Sequence, residues 1–264
     1  MPTALVTGAS QGVGAGVVEG LAEHGFRVYF TGRDRRRLEQ TAQRAQELGG
    51  MMFPRAVDHS DDRQVEELFR EIGQKHHLHL LVNCAWGGYE RMIEDGRFTW
   101  ADPFWRQPMW RWESTMVAGV RAAFVASQLA TRRMLDQERG LIVNLSYWSA
   151  QKHIGNVLYG MAKAATDKMT ADMDAELRPR EVFVLSMYPG LVRTERVMEN
   201  AEYLDLSNSE SPRFIGRTIA AIWLHNQYAR ENRGCVCIAA QAARELGVTD
   251  VDGSTPNPMT LENA

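Results

Sequence analysis

Tyr159 and Lys163 stand four residues apart in the run Tyr159-Gly160-Met161-Ala162-Lys163. That spacing puts both side chains on one face of a helix. A free tyrosine releases its proton near pH ~10, too high for ready exchange at neutral pH. An ammonium one turn away favours the phenolate and draws the group toward a working range. The pair therefore reads as a general acid/base. Such a pair also arises by chance on helix surfaces, so its meaning depends on what else the chain carries.

A second chemical pattern lies at the start. Thr7-Gly8-Ala9-Ser10-Gln11-Gly12-Val13-Gly14 follows an apolar run and opens a helical one. Gly8 permits a sharp strand-to-helix turn, and Gly12 lacks the Cβ that would block a pyrophosphate. Gly14 lets the helix pack close to the sheet, and the helix N-terminus offers free N–H groups to phosphates. A glycine triplet alone is weak, but the flanking strand and helix supply its confirming context. The second strand ends at Thr31-Gly32-Arg33. NAD-binding folds carry an acid near this point for the ribose 2′-hydroxyl, whereas the Arg33 guanidinium suits a 2′-phosphate. NADP(H) is the preferred cofactor on this charge argument, with NAD(H) left open. Asp34 serves better as the N-cap of the next helix.

These groups need elements to hold them. Strand signals fall at Ala4–Thr7, Arg27–Thr31, Met51–Val57, Leu78–Val82, Gly140–Ser146, Val182–Tyr188 and Gly234–Ala239. Helical periodicity covers Gly14–His24, the run from Asp34 to Leu48, Asp61–His76, Trp112–Asp136, Tyr159–Leu177 and Ser211–Leu224. Strands separated by helices predict right-handed crossovers and a parallel sheet covered on both faces. The expected architecture is a single α/β domain over residues 1–264, a Rossmann-type, doubly wound, seven-stranded parallel sheet. An aromatic insert at about 86–111 interrupts the alternation.

Composition narrows the function. There are 30 Lys and Arg against 33 Asp and Glu, a net charge of −3, with no basic face for nucleic acid. Cys84, Cys235 and Cys237 form no disulfide framework; the last two are read as strand neighbours sharing a face. No apolar stretch is long enough to cross a bilayer. The expected location is the cytoplasm. His76, His77 and His79 lack the companion ligands of a metal site, so no metal is expected.

In correct order, Thr7–Gly14, Asp58, Leu81-Val82-Asn83-Cys84-Ala85, Val143-Asn144-Leu145-Ser146, Tyr159/Lys163 and Pro189-Gly190-Leu191-Val192-Arg193-Thr194 resemble the short-chain dehydrogenase/reductase family over nearly the whole chain. A closer likeness, to the group called dehydrogenase/reductase SDR family member 1, rests on the insert run from Phe104 to Trp110. Val117-Ala118-Gly119-Val120-Arg121 and Asp250-Val251-Asp252-Gly253 also carry it. The resemblance implies reversible hydride transfer between a nicotinamide and a carbonyl or secondary alcohol. Tyr159 would exchange the substrate proton, while Lys163 would hold the nicotinamide ribose and lower the tyrosine pKa. Gly8, Ser10, Gln11, Gly12, Val13 and Gly14 would cradle phosphates, and Arg33 would take the 2′-phosphate. Asp58 would contact adenine, Asn83 and Ala85 would line the cofactor, and Pro189, Gly190, Val192 and Thr194 would meet the carboxamide. Glu195 to Glu210 would form a mobile substrate loop. The family also commonly pairs through its long helices, implying a homodimer or homotetramer.

Three departures stand out. Trp86 replaces a small residue near the cofactor. Gly119 occupies the place of a helix asparagine that supports a proton-relay water in many members. The serine that orients the substrate carbonyl has three candidates: counting back thirteen residues from Tyr159 gives Ser146, a gapless count from Asn144 gives Tyr147, and Ser149 is near. Ser146 is the first choice. Trp86, Tyr89, Phe98, Trp100, Phe104, Trp105, Trp110 and Trp112 read either as a wall for a bulky, apolar substrate or as packing against the core or a second subunit. A contrasting reading, a catalytically weak NADPH-binding sensor or scaffold, draws on Gly119, Tyr147 and Trp86.

Overall fold

The computed structural model describes residues 1–137 and 139–264. Its first half runs β1 (Thr3–Thr7), α1 (Gly12–Glu23), β2 (Arg27–Gly32), α2 (Arg35–Glu47), β3 (Met51–Ala56), α3 (Asp62–Lys75) and β4 (Leu80–Asn83). The insert follows, with a two-stranded hairpin, β5 (Ile93–Glu94) and β6 (Arg97–Phe98), and a 3₁₀ turn at Phe104–Arg106. A long helix then forms in three parts: α4 (Trp110–Trp112), a π-helical stretch (Glu113–Arg121) and α5 (Ala122–Asp136). The remainder is β7 (Gly140–Leu145), α6 (Val157–Glu176), β8 (Val182–Tyr188), α7 (Glu195–Met198), α8 (Pro212–Leu224), α9 (Asn226–Glu231), β9 (Val236–Ile238) and α10 (Ala239–Leu246).

Seven strands form one parallel sheet in the order β3-β2-β1-β4-β7-β8-β9. Side chains alternate between its faces. Ala4, Val6, Val28 and Phe30 pack with Val17 and Leu21 of α1 and Ile215 and Ile219 of α8. Leu5, Tyr29, Leu81 and Ile142 pack with Leu68 and Ile72 of α3 and Ala126 and Ala130 of α5. Each large apolar side chain so enclosed contributes about 1.5–3 kcal/mol, and a sheet buried on both faces explains the near-continuous apolar strands. The chain leaves β1 toward β2 on one side and reaches β4 on the other. A crevice therefore opens beyond the carboxyl ends of β1 and β4, the point where such sheets bind ligands.

Helix starts follow side-chain chemistry. Asp34 accepts a hydrogen bond from the Arg37 backbone N–H (3.1 Å) and caps α2, and Ser211 caps α8 ahead of Pro212. The long helix departs from the expected α geometry over Glu113–Arg121. There the Ser114 and Thr115 hydroxyls both donate to the Arg111 carbonyl oxygen, at 3.0 and 2.8 Å, competing with the backbone ladder. Cys235 and Cys237 also differ from expectation. The last strand begins only at Val236, so Cys235 lies outside it and is exposed while Cys237 is buried. His76 shares a hydrogen bond with the Tyr29 hydroxyl (2.9 Å), and His79 Nδ1 accepts from the Thr3 backbone N–H (3.1 Å).

Candidate active site

The glycine turn is shaped by contact with the loop after β4. Gly8 has φ +63°, and a Cβ there would stand 2.5 Å from the Ala85 Cα. A Cβ on Gly14 would strike the Gly8 carbonyl oxygen. Neither glycine can be replaced without moving backbone. Thr7 Oγ1 fastens the same junction by accepting from the backbone N–H groups of Cys84 and Ala85, both at 3.1 Å. Gly12 is different: at φ +59° a Cβ there would make ordinary contact with the Thr194 methyl (3.6 Å) and the Glu195 carboxylate (4.0 Å), so it is the backbone conformation that favours glycine. Its N–H donates to Glu195 Oε2 at 2.9 Å, so an anionic oxygen already sits where the helix N-terminus favours one.

A cavity of about 500 Å³ runs from this turn and includes Gly8, Ser10, Gln11, Arg33, Asp58 and Ala85 in its lining. Arg33 reaches its mouth and pairs there with Glu90 of the insert. Burial alone would raise the Asp58 carboxyl. Hydrogen bonds from the Ser60 backbone and hydroxyl, with the Arg33 charge, outweigh it and hold the group below its usual value. A dinucleotide fits these residues: the turn at Gly8, Ser10 and Gln11 borders the cavity, and a cation (Arg33) and a carboxylate (Asp58) line it as well. Among the described residues, no group of three or more His, Cys, Asp or Glu side chains could hold a metal ion.

The second cavity, about 150 Å³, adjoins the first through Cys84, Ala85 and Trp86 and contains Tyr159 and Lys163. Asn156 caps α6 by accepting from the Tyr159 backbone N–H at 2.9 Å, which fixes Tyr159 in the first helical turn. The Asn156 amide also donates to the Trp100 carbonyl oxygen (3.1 Å), tying the cap to the insert. The Tyr159 ring is then enclosed by Trp86, Tyr89 and Trp100, with centroids 5.8, 5.9 and 5.4 Å away, and by Tyr147 at 6.4 Å. Only 5% of Tyr159 is exposed.

Enclosure decides the electrostatics. Burial, followed by the neighbouring Tyr89 and Tyr147, raises the Tyr159 phenol well above 10, with Ser149 acting in the opposite direction. Burial likewise lowers Lys163 to about 8, against the opposing influences of Asp167 and Cys84, so it is protonated at neutral pH. Its amine donates to the Leu145 carbonyl oxygen at 3.0 Å and stands 4.4 Å from the centre of the Trp86 ring. Desolvation outweighs any lowering of the phenol by Lys163, whose amine is engaged elsewhere. Tyr159 rests as a neutral phenol.

The three carbonyl-orienting candidates separate. The Ser146 hydroxyl donates to the Lys163 carbonyl oxygen (3.3 Å), and the Tyr147 hydroxyl faces Met259 Sδ (3.7 Å). Ser149 Oγ is buried without a hydrogen-bond partner among the described residues, on the phenol side of the loop. Asn83 is turned inward: its amide donates to Asn144 Oδ1 (2.8 Å) and Ser127 Oγ (3.0 Å). Pro189 lines the smaller cavity, and the Gly190 N–H donates to Glu210 Oε2 at 2.8 Å. Val192 bridges to Glu210, and Thr194 caps α7. The Glu195–Glu210 segment meets the insert, Arg196 donating to the Tyr89 carbonyl oxygen.

Two features escaped the motif reading. The Tyr89 hydroxyl donates to the Tyr159 hydroxyl at 2.9 Å, bringing an insert residue onto the phenol oxygen. Trp86 and Gly119 also prove to be one arrangement: a Cβ on Gly119 would lie 2.7 Å from the indole, which fills the space left by the missing side chain. The aromatic insert divides in two. Trp86, Tyr89 and Trp100 converge on Tyr159, while Phe98, Phe104 and Trp105 are exposed.

The family description "short chain dehydrogenase" matches residues 2–204. Dehydrogenase/reductase SDR family member 1 of Mus musculus is 35% identical over 264 residues, covering 94% of this chain and 83% of that protein. The crystal structure of a putative short-chain alcohol dehydrogenase from Sinorhizobium meliloti superposes with a TM-score of 0.74 at 25% identity, covering 90% of this chain and 94% of the other. A putative NAD(P)-dependent gluconate 5-dehydrogenase from Beutenbergia cavernae, solved with bound NADP, shares the fold with a TM-score of 0.76 at 23% identity, over 90% of this chain and 94% of its own.

Proposed function

The chain belongs to the short-chain dehydrogenase family and is an oxidoreductase acting on CH–OH/C=O groups; from that premise we propose that it is an NADP(H)-dependent carbonyl reductase with Tyr159 as proton donor. The observation that carries this reading is the cleft itself. One end is the glycine turn at Gly8, Ser10 and Gln11 with the Arg33 guanidinium in the same cavity, and the other is a buried, neutral phenol. When bound, the nicotinamide supplies or accepts a hydride. Gly8, Ser10, Gln11, Gly12, Val13 and Gly14 hold its phosphates, and Arg33 exchanges Glu90 for the 2′-phosphate. Asp58, Ala85, Pro189, Gly190, Val192 and Thr194 flank the rest.

Tyr159 gives its proton to the substrate oxygen, and a phenol held neutral suits that direction. Lys163, charged at neutral pH, steadies the phenolate left behind and faces the ribose. Ser149, whose hydroxyl is uncommitted, replaces Ser146 as the donor that orients the carbonyl. Trp86, Tyr89 and Trp100 make the substrate wall, favouring a bulky, apolar ketone or aldehyde. Exposed Phe124 on α5 and Met161 on α6 support pairing of two copies along these helices, in a homodimer or homotetramer. Three free cysteines support a reducing, cytoplasmic setting.

Oxidation of NADPH across a panel of aromatic ketones and aldehydes tests the reading. Turnover is expected, with Tyr159→Phe reducing it by roughly 10³-fold, within the range of general acid/base catalysis, while NADPH binding persists. Undiminished turnover in Tyr159→Phe would remove the phenol from the mechanism. The crowding of Tyr159 and Lys163 by insert aromatics favours a second reading, an NADPH-binding sensor or scaffold with weak chemistry. Tight NADPH binding without turnover of any carbonyl would select it.

A further inference from the structure

An arginine at the end of β2 serves a phosphate, whereas a plain ribose hydroxyl needs an acceptor. In NAD-binding folds that acceptor is a carboxylate close to the end of the second strand. Here β2 cannot supply one. It ends in Gly32, where a Cβ would stand 2.8 Å from the Ser10 Cβ, and Arg33 follows. Asp34 is committed to the α2 cap, accepting from the Arg37 N–H. Asp58 is committed to Ser60, accepting from its N–H (2.9 Å) and its hydroxyl (2.7 Å). A carboxylate reaches the place from another part of the chain. Glu90 of the insert lines the larger cavity together with Gly32, Arg33, Asp58 and Ser60, and its Oε1 pairs with the Arg33 guanidinium. Among the described residues no other carboxylate lies within ion-pair distance of Arg33. The Glu90 backbone is tethered there. Its N–H donates to the Gly87 carbonyl oxygen (3.2 Å), and the adjoining Tyr89 is held at its carbonyl by Arg196 and at its hydroxyl by Tyr159.

We propose that Glu90 is a specificity-determining residue of the cofactor cleft: it supplies from the insert the carboxylate that β2 lacks, accepting the adenosine 2′-hydroxyl of NAD(H) and opposing the 2′-phosphate of NADP(H). The proposal rests on the NADP(H)-cleft reading and deepens it. The two cofactors differ only at this oxygen. A hydroxyl donates, and the Glu90 carboxylate, steadied by Arg33, accepts. A phosphate monoester carries close to two negative charges at neutral pH. It takes the guanidinium for itself, so Glu90 loses its partner and stays close by as a like charge. The same side chain thus helps one cofactor and penalises the other, and selectivity is the difference between the two affinities. Arg33 and Glu90 together make a site that admits both dinucleotides, with a narrower preference for NADP(H) than the arginine alone would set.

Titration of the full-length protein with NADPH and with NADH, followed by nucleotide fluorescence, tests this with Glu90→Gln, which keeps the side-chain length and removes the charge. NADPH affinity is expected to rise about threefold, the size of an exposed charge effect. NADH affinity is expected to fall about tenfold, matching one hydrogen bond to a charged group. Raising the salt from about 0.1 to about 0.5 M should erase the gain for NADPH and leave the loss for NADH, because screening acts on the repulsion. Adenosine 2′,5′-bisphosphate and AMP, used as competitors that lack the nicotinamide, should show the same opposite shifts. A side chain that only braces the insert would weaken both dinucleotides together. A change of equal sign for the two, or an NADH affinity within twofold of wild type, overturns the proposal. The Glu90 side chain is 47% exposed, so the variant should fold, and an unchanged melting temperature checks that. Failure of the wild type to bind either dinucleotide would instead defeat the underlying cofactor reading, and this one with it.

Discussion

Around Gly8 the cleft is made of backbone, whereas around Tyr159 it is made of rings. In the first region a Cβ at Gly8 or Gly14 has nowhere to go, and Thr7 pins the two strand ends with hydrogen bonds to main-chain N–H groups. In the second, Trp86, Tyr89 and Trp100 pack on one phenol, and all three come from a loop with little regular structure. Phosphates are recognised by N–H groups and dipoles, which only a fixed main chain can aim. A substrate is recognised by shape, which side chains can alter without disturbing the sheet. The first region therefore tolerates almost no change, while the second can be rebuilt in pairs.

Substitutions in the two regions should diverge accordingly. The largest effect is expected at Gly8→Ala, where a positive φ and a main-chain collision act together. We expect NADPH affinity to fall by about 100-fold, equivalent to about 2.7 kcal/mol, with a lower melting temperature, measured by fluorescence titration and calorimetry. A variant that bound normally would break the contrast. Gly119→Asn alone should cost roughly 1–3 kcal/mol by overpacking against Trp86. Combined with Trp86→Gly, the loss should shrink, giving a coupling energy of about 1 kcal/mol in a double-mutant cycle of chemical denaturation. Strict additivity would show that the ring and the glycine are independent.

Arg33→Ala should weaken NADPH about tenfold and leave NADH within twofold, an effect matched to one charge-assisted contact at an exposed site (about 1.4 kcal/mol). Equal losses for both cofactors would remove Arg33 from phosphate recognition. The smallest effect concerns Glu210, buried beneath the Gly190 turn. Burial, opposed by the Gly190 N–H and by Arg193, raises its carboxyl to about 7. A raised carboxyl binds its proton more tightly folded than unfolded. Its contribution is thus fully present below pH ~4.5 and is lost as pH rises through about 7. Glu210→Gln should accordingly raise the melting temperature at pH 8 relative to wild type, and not at pH 4.5. A pH-independent difference would contradict the assignment.

The sequence disclosed the backbone region more fully than the ring region, for physical reasons. Strands buried on both faces must be apolar throughout, and the glycine turn needs its residues in fixed order, so both leave local marks. Asp34 as a cap was legible for the same reason. The hairpin at Ile93–Glu94 and Arg97–Phe98 also left a mark, Asp95-Gly96, both with positive φ (50° and 75°), although strands of two residues give no alternation to read. The π-helical turn changes helical pitch over only nine residues, too few for periodicity to resolve. Tyr89 carried no motif at all: its place beside Tyr159 depends on how a loop folds back across seventy positions of chain. Counting offered Ser146, Tyr147 and Ser149 as donors to the carbonyl, and counting cannot see which way a hydroxyl turns.

The nested fit of Trp86 over Gly119 also bears on how such a chain can change over generations. An asparagine arriving first at position 119 would collide with the indole, and a glycine arriving first at 86 would leave a hollow beside a buried amine. Both single steps lead downhill in fitness, so descent toward the commoner arrangement requires two substitutions at once or a detour through smaller aromatics. Lineages that acquire this pair are therefore held to it.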